Sequence, residues 1–392
     1  MAESIVIVGA KRTPIGALQG KFNGVTASQL GATAIKAAIE QAGVKPSEVD
    51  DLIFGCVLQA GQGQAPARQA ALGAGLSNTT PATTVNKMCG SGMKAAMMAF
   101  DELSTGNATV VVAGGMESMT NAPHLLPKGR SGIRYGSGQV LDSMAFDGLE
   151  DAYVGKPMGF FADKTAEKYG FTREQMDAYA KTSTERAVSA SRSGAFTDEI
   201  APVTVKGRAG EEVVKDDETP FTVKLEKIPT LRPAFNKDGT VTAATSSSIS
   251  DGAAALVMMT ESEAKKRGAK PLARILASAS NAHEPEWFTT APVGAIRKVL
   301  DKAGWKASDV DLFEVNEAFA VVAMAAMKDV GIPADKINVN GGAVALGHPI
   351  GATGARIITT LIYALKKRGL KKGVAALCIG GGEGTAIALE VL

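Results

Sequence analysis

Residues 85–96 read VNKMCGSGMKAA, and this stretch decides the fold because it joins a short strand to a helix through a glycine-rich turn. The preceding residues 81–85, PATTV, are rich in β-branched side chains, which predicts the end of a strand. Residues 93–103 are rich in Ala, Met and Leu and contain no Gly or Pro, which predicts a helix. Cys89 therefore lies at a strand-to-helix turn.

A cysteine at this place has a chemical advantage. The first N–H groups of a helix have no partner within it, and the positive end of the helix dipole favours an anion. We therefore expect the turn to lower the pKa of the Cys89 thiol and to favour the nucleophilic thiolate. Gly90 and Gly92 would let a substrate carbonyl approach the backbone closely. The alternative interpretation is a buried structural cysteine beside a packed helix.

The surrounding pattern occurs twice in the chain. In each copy a helix that ends in Ala-Gly is followed by a short connection and a buried strand, and later by a strand that runs into glycines and a glutamate. The corresponding segments are 27–43 and 296–304, 52–55 and 312–315, 84–86 and 338–340, and 110–117 and 376–383. The chain therefore contains one α/β unit twice.

Duplication predicts where the reactive residues meet. Strands that alternate with helices imply mostly parallel sheets covered by helices. Two such units would be related by a pseudo-twofold axis, and their equivalent strand ends would converge near it, where ligands bind in open α/β sheets. The turns that carry Cys89, His348 and Cys378 should then share one site.

Residues 118–248 have no counterpart in the repeat and read as an insertion. Thr172 and Gln175 form a capping box that predicts a helix to about residue 191. A strand over 253–259 is expected to return the chain to the core. The insertion is rich in charge, and its sparsely structured part carries the basic residues Lys206, Arg208, Lys215, Lys224, Lys227, Arg232 and Lys237. These side chains indicate either a solvated surface or a lid that meets a phosphate-bearing ligand.

Three further residues can carry chemistry. His348, in the run GHPIGATGAR at 347–356, is either a core histidine bonded to backbone or a base for the Cys89 thiol and a donor to a thioester oxygen. Cys378 either only packs in the core or has a pKa near neutral and acts as acid and base on a carbon acid. Asn316 is either a helix N-cap or the holder of a water that donates into an oxyanion site.

Composition excludes several classes of protein. The chain has 392 residues, enough for two or three domains, and its net charge of +2 gives no general attraction to nucleic acid or anionic membrane. Three cysteines argue against a disulfide framework and for a reducing compartment. No apolar run approaches the ~20 residues of a membrane helix, and the first residues lack a signal pattern. We therefore expect a cytoplasmic location. His124 and His283 have no metal-ligand spacing, so no metal site is predicted.

Four motifs resemble those of the thiolase family: NKMCGSG at 86–92, NEAF at 316–319, GHPIG at 347–351 and CIGGG at 378–382. The resemblance spans essentially the whole chain. It implies an α/β thiolase fold with two duplicated core domains around a pseudo-twofold axis, layered α-β-α-β-α, plus an inserted loop domain. The implied boundaries are an N-terminal core of residues 1–118 with 249–270, a loop domain of 119–248 and a C-terminal core of 271–392.

The resemblance also implies a reaction. Cys89 would take an acyl group from acetyl-CoA with help from His348, and Cys378 would remove a methyl proton from a second acetyl-CoA. The carbanion would attack the acyl-enzyme to give acetoacetyl-CoA, and thiolysis is the reverse. One oxyanion hole would use His348 with a water on Asn316, the other the N–H groups of Cys89 and Gly380. Alternatives are a degradative 3-ketoacyl-CoA thiolase for longer chains and an inactive acyl-binding scaffold.

Family positions also predict the CoA site and the assembly. The loop domain would cover CoA and help to form a homotetramer, and CoA thioesters would serve as substrates with no further cofactor. Residues 156–159 read KPMG where many biosynthetic members carry His-Met-Gly, so Met158 keeps its packing role without the histidine; this departure concerns acyl-chain preference. The other positions that match pantetheine contacts are Ser247, Ala243, Phe235, Ala318 and Phe319.

Overall fold

A computed structural model describes residues 3–207 and 210–392, so Arg208 of the insertion lies outside the described residues. The strands are β1 Ile5–Arg12, β2 Gly16–Ala17, β3 Asp51–Gly55, β4 Ala82–Val85, β5 Val110–Ser118, β6 His124–Leu125, β7 Leu141–Asp142, β8 Val203–Gly207, β9 Gly210–Val214, β10 Ser250–Thr260, β11 Ala273–Ala282, β12 Leu312–Val315, β13 Lys372–Ile379 and β14 Glu383–Val391. The α-helices are α1 Ala27–Ala42, α2 Pro66–Gly73, α3 Ser91–Ser104, α4 Met158–Tyr169, α5 Arg173–Arg192, α6 Glu261–Arg267, α7 Ala291–Ala303, α8 Ala320–Val330, α9 Ala343–Leu346 and α10 Thr353–Lys367.

Ten of the described strands form one sheet, in the order β12-β13-β14-β11-β1-β10-β5-β3-β4 with β2 beside β10. The expectation of mostly parallel pairing is wrong. Only the pairs β3/β4, β3/β5 and β12/β13 are parallel, and the strands nearer the middle of the sheet pair antiparallel. Three residues separate β13 from β14, far fewer than the dozen or more that a parallel crossover needs, so the chain must turn straight back.

The duplication is confirmed by the strand order. The series β1-β10-β5-β3 in the first half matches β11-β14-β13-β12 in the second, and β1 pairs with β11 where the halves join. Helices α1 and α7 occupy equivalent places, and each ends at a glycine in the left-handed conformation. The match is incomplete at one point, because the counterpart of β4 is reduced to a single bridge between Phe313 and Ile337.

Three hydrophobic cores give the layering. Helices α1 and α2 cover one face of the first half-sheet, and α7 and α8 cover the outer face of the second. Helices α3 and α10 lie between the half-sheets and contact strands of both. The predicted α-β-α-β-α arrangement is confirmed, and it places the N-termini of the two central helices against one another.

Two glycines make that contact possible. A Cβ added to Gly92 would lie 2.9 Å from the backbone nitrogen of Ala355, and one added to Gly354 would lie 2.2 Å from the backbone nitrogen of Met93. Both distances are shorter than the closest approach of real Cβ atoms to other heavy atoms. The first turns of α3 and α10 therefore meet backbone to backbone, which brings the Cys89 turn and the His348 loop together.

Replacing Gly354 with alanine is expected to lower the free energy of unfolding by about 3 kcal/mol, because the added methyl meets backbone that cannot rotate away. Denaturant unfolding measures the change. Gly207→Ala is the control, since a Cβ there would come no closer than 3.7 Å to any described atom. Equal stability of the two variants would contradict the close contact of α3 and α10.

The insertion packs on both halves through its own small elements. It contains α4, α5 and the two-stranded sheets β6–β7 and β8–β9. The capping box of Thr172 and Gln175 is confirmed at the start of α5, which ends at Arg192, and β10 includes the strand predicted over 253–259. Within the described part of the chain, no helix combines the length and the apolar content that crossing a bilayer requires.

Candidate active site

Cys89 lies in a turn that the local sequence builds. It follows β4 and precedes Gly90, the N-cap of α3, as the sequence predicts. Met88 has a φ of 46°, a left-handed conformation that costs free energy for a side chain. The Ser91 hydroxyl donates to the Met88 carbonyl at 2.7 Å and accepts from the Lys87 N–H at 2.9 Å. This closed turn holds the cysteine at the junction of strand and helix.

The predicted lowering of the Cys89 pKa is wrong. Burial raises the pKa of the thiol to about 11, and the hydrogen bonds that Sγ accepts from the backbone N–H groups of Gly380 and Cys89 offset this only in part. Desolvation of a thiolate outweighs two backbone donors here. Cys89 is therefore a neutral thiol at physiological pH.

His348 presents a ring nitrogen that can accept a proton. The Thr353 hydroxyl donates to the Pro349 carbonyl at 2.9 Å, so it must accept the hydrogen bond from His348 Nδ1 at 2.7 Å. The neutral ring then carries its proton on Nδ1 and leaves Nε2 as an acceptor. Burial, followed by the charge of Arg356, lowers the pKa of His348 to about 3, so the ring is neutral at physiological pH.

Cys378 lies at the end of β13 and is fully buried. The predicted pKa near neutral is wrong, because burial raises the pKa of this thiol well above its ordinary value, and a thiolate at Cys89 would raise it further. Lys87, two residues before Cys89, pairs with Glu383, which begins the strand after the Cys378 turn, so the two cysteine turns are adjacent. In addition, a Cβ on Gly90 would lie 2.5 Å from the Ile379 side chain.

Asn316 lies beside the imidazole rather than at a helix start. Helix α8 begins at Ala320 with Phe319 as its N-cap, which excludes the N-cap interpretation of Asn316. The Asn316 Nδ2 lies 3.4 Å from His348 Nε2. Its Oδ1 is buried and has no hydrogen-bond partner among the described residues. A buried amide oxygen without a donor is a place where a bound water would be stabilised.

Of the six predicted CoA contacts, Met158 lies next to Gly380, and four others pair with one another. Met158, the first residue of α4, lies 3.5 Å from where a Cβ on Gly380 would be. Ser247 donates to the Ala318 carbonyl at 3.0 Å from both its N–H and its hydroxyl. The rings of Phe235 and Phe319 meet edge to face at 5.9 Å, and the exposed Ala243 begins the 3₁₀ turn Ala243–Thr245.

Two residues that sequence reasoning passed over also belong to this region. Thr353 sets the histidine tautomer. The sequence feature that could have revealed it is a hydroxyl side chain five positions after His348, at the start of a helix. Glu117 is fully buried and binds the backbone of Gly351 in the His348 loop. Its signal was an acidic residue at the end of an otherwise apolar strand.

The geometry thus joins a thiol at a helix N-terminus, a neutral imidazole with a free acceptor nitrogen, a second thiol and converging backbone donors. Such a set can run nucleophilic acyl chemistry. Two family models match the chain, the thiolase N-terminal domain over residues 5–262 and the thiolase C-terminal domain over residues 269–391. The chain belongs to the thiolase family and is an acyltransferase.

Relatives of known name cover the whole chain. It is 50% identical to an acetyl-CoA acetyltransferase of Chromobacterium violaceum, covering 98% of this chain and 99% of that one. It is 48% identical to an acetyl-CoA acetyltransferase of Allochromatium vinosum, with 100% of both chains covered. The crystal structure of the Bacillus anthracis acetyl-CoA acetyltransferase superposes with a TM-score of 0.98 at 43% identity, covering 100% of this chain and 99% of that one.

Proposed function

We propose that the chain is an acetyl-CoA C-acetyltransferase, which condenses two acetyl-CoA to acetoacetyl-CoA and CoA and catalyses the reverse thiolysis. The observation that carries this proposal is the close packing of the two cysteine turns, because a Cβ on Gly90 would lie 2.5 Å from the Ile379 side chain and Lys87 pairs with Glu383. Full-length relatives named for this activity support the choice of acetyl-CoA as substrate.

In the first half-reaction, Nε2 of His348 accepts the Cys89 proton as the sulfur attacks the thioester carbonyl of acetyl-CoA. The raised pKa of Cys89 and the lowered pKa of His348 both disfavour this proton transfer. The transfer creates a thiolate and an imidazolium, and their mutual attraction is strong in a site of low dielectric constant. The bond between the acyl carbon and the CoA sulfur breaks, and the leaving thiolate takes the proton from His348. Acetyl-Cys89 and CoA-SH are the products.

In the second half-reaction, Cys378 gives its thiol proton to Nε2 of His348, which is neutral again after the first step, and the resulting thiolate removes a methyl proton from a second acetyl-CoA. Because Cys89 is acylated, it cannot form a thiolate, whose charge would raise the pKa of Cys378 further. The carbanion attacks the acyl carbon, the bond to Cys89 breaks, and the released Cys89 thiolate takes the proton from His348. Acetoacetyl-CoA leaves.

Two groups of donors would stabilise the developing oxyanions. The first group is the backbone N–H groups of Cys89 and Gly380, both of which act to lower the pKa of the Cys89 thiol and so favour negative charge beside it. The second group is the imidazolium of His348 with a water on Asn316, supported by the buried and unpartnered Oδ1 of that amide among the described residues. Removing one such donor typically costs about 10²–10³ in kcat.

The proposed domain division and assembly follow the family. We place the boundaries at 118/119, 248/249 and 270/271, with residues 119–248 as the CoA-covering loop domain. The insertion exposes large apolar side chains that a homotetramer would bury, and we propose that assembly in the cytoplasm. These side chains are Leu126, Ile133, Tyr135, Val140, Phe146, Tyr153 and Val154. Six described basic residues of the insertion are exposed and are candidates for contact with the CoA phosphates: Lys206, Lys215, Lys224, Lys227, Arg232 and Lys237.

The apolar cluster beside Cys89 would receive the acyl group. Val57, Leu58, Met119 and Ile350 form its buried part, and Cys89 packs against it. Because the cluster is already close-packed, a chain longer than acetoacetyl would have to displace buried side chains.

We therefore expect thiolysis rates to decline steeply as the 3-ketoacyl chain lengthens, with acetoacetyl-CoA the best substrate. Turnover of a 3-ketoacyl-CoA series with free CoA, followed through loss of the 3-ketoacyl-CoA absorbance, measures this. One methylene is worth about 10–200-fold in such pockets, so the slope is readily detected. A maximum at long chains would instead identify a degradative 3-ketoacyl-CoA thiolase.

A further inference from the structure

Glu117 is a buried carboxylate for which the reaction above has no use. It lies near the end of β5 with no exposed surface, and no ion pair to it occurs within residues 3–207 and 210–392. Its oxygens accept from the backbone N–H groups of Val57 at 3.0 Å, Leu58 at 3.1 Å and Gly351 at 2.9 Å. The Cys56 thiol, at 3.6 Å, is the fourth donor.

These donors belong to two segments of the site. Gly351 lies three residues after His348, and its carbonyl oxygen is so close to β5 that a Cβ on Gly115 would lie 2.0 Å from it. Val57 and Leu58 belong to the apolar cluster against which Cys89 packs. Glu117 therefore binds the histidine loop of the second half to the cysteine side of the first half.

The duplication supplies a counterpart. Residues 110–117 correspond to 376–383, so Glu383 of the second half is equivalent to Glu117 of the first. Glu383 pairs with Lys87, two residues before Cys89. Each glutamate thus binds the reactive turn of the opposite half, one through a buried backbone N–H and the other through a partly exposed lysine.

We propose that Glu117 and Glu383 are positioning residues, two cross-clamps related by the pseudo-twofold axis that set the distance between Cys89 and His348. Neither touches a reacting atom. The proposal rests on the proposed function only for its turnover readout. Of the two clamps, Glu117 has the larger effect, since its hydrogen bonds are shielded from water.

Protonation should loosen the Glu117 clamp. All four neighbouring groups are donors, so a protonated carboxyl cannot satisfy them all. Burial raises the pKa of Glu117 to about 7, the three backbone N–H groups and the Cys56 thiol opposing it. The titratable groups near it are Cys56, which it contacts, and Cys89, whose pKa its charge raises. The clamp is complete above about pH 7 and weakens below it.

Replacing Glu117 with glutamine should lower kcat about 100-fold above pH 7 with little change in KM, because a small misplacement of reacting groups has this effect. The ratio of wild-type to variant kcat should fall as the pH is lowered through about 7, where the native carboxyl also carries a proton. Glu390→Gln, at the other end of β14 from Glu383, is the control and should keep full activity. A ratio independent of pH, or wild-type kcat in the variant, would overturn the proposal.

Alkylation of Cys89 by iodoacetamide separates this test from the proposed function. Without the Glu117 charge, the pH midpoint of alkylation should move down while turnover falls; an unchanged midpoint would count against the clamp even if acetyl-CoA were no substrate. If Glu117→Gln does not fold, variants of the partly exposed Lys87–Glu383 pair provide the test. Lys87→Glu should slow turnover about fivefold, and adding Glu383→Lys should restore it. Failure of the swap to restore turnover would overturn the cross-clamp.

Discussion

Replacing Cys89 with alanine should reduce CoA-dependent cleavage of acetoacetyl-CoA by about 10⁴-fold or more, the scale seen when a covalent nucleophile is removed. The reason is that no other thiol can take its place. Cys56 is buried against Glu117, and Cys378 is buried at the end of its strand. Cys89 is partly exposed, and the Ser91 hydroxyl closes its turn without the sulfur, so the fold should persist.

Intact mass after incubation with acetyl-CoA reports the first half-reaction directly. Wild-type protein should gain one acetyl group and Cys89→Ala none. Cys378→Ser should still gain it but should condense very slowly, because a serine hydroxyl is a far weaker acid and base than a thiol. Unchanged cleavage by Cys89→Ala would refute its role as nucleophile. Normal condensation with blocked acylation in Cys378→Ser would reverse the two roles.

The same pair of variants distinguishes an enzyme from an inactive acyl-binding scaffold. Iodoacetamide should alkylate one cysteine quickly, and acetyl-CoA should protect it. The fast site should vanish in Cys89→Ala and remain in Cys378→Ser. A scaffold would show no fast-reacting cysteine that acetyl-CoA protects.

Replacing Arg12 with methionine should lower the free energy of unfolding by about 3–5 kcal/mol, because two carboxylates would be left buried without their cation. Arg12 is fully buried at the end of β1. Its guanidinium binds Glu199 at 2.5 Å and both oxygens of Asp217 at 2.7 and 2.9 Å. Glu199 also accepts from Thr360 of α10 at 3.0 Å, so the cluster joins the insertion to the core.

The loss of unfolding free energy in Arg12→Met should depend on pH. Burial already raises the pKa of Glu199, and loss of Arg12 would raise it further. A carboxyl whose folded pKa lies above its unfolded pKa contributes stability at low pH that is lost as the pH rises through the folded value. The variant should therefore lose more against wild type at pH 8 than at pH 5. Denaturant unfolding at both pH values measures this.

Two further variants serve as controls for the stability loss predicted for Arg12→Met. Adding Glu199→Gln and Asp217→Asn to Arg12→Met should restore part of the lost stability, since no buried charge remains. Lys21→Met removes an ion pair of exposed side chains with Glu212 and should leave the unfolding midpoint unchanged. If Arg12→Met were as stable as Lys21→Met, the cluster would not hold the insertion to the core.

Local signals predicted the helices and turns well. The Gly43 cap ends α1, and the Thr172 capping box begins α5, as the residues indicate. Caps act through hydrogen bonds within a few residues, so the sequence alone shows them. Whether neighbouring strands pair parallel or antiparallel was harder to predict from the sequence. The connection between β13 and β14 has only three residues, which requires an antiparallel pair.

Local sequence signals did not predict the pKa values of the site residues. A helix N-terminus favours a thiolate, but burial of Cys89 has the larger effect and raises its pKa. Burial depends on which segments pack over the sulfur, and those come from Gly380 and the apolar cluster around Ile350. The same holds for Asn316, whose place beside His348 depends on a start of α8 four residues later than it.

The sequence alone determined the doubled strand–turn–helix unit and the identity of the reactive groups, because periodicity, caps and repeated motifs act over short stretches of chain. Only the tertiary structure decided their protonation states and the contacts that join the halves. Glu117 and Gly351 are 234 positions apart and yet hydrogen-bonded. Such pairing and the desolvation around it arise from packing of the whole chain, which no local pattern records.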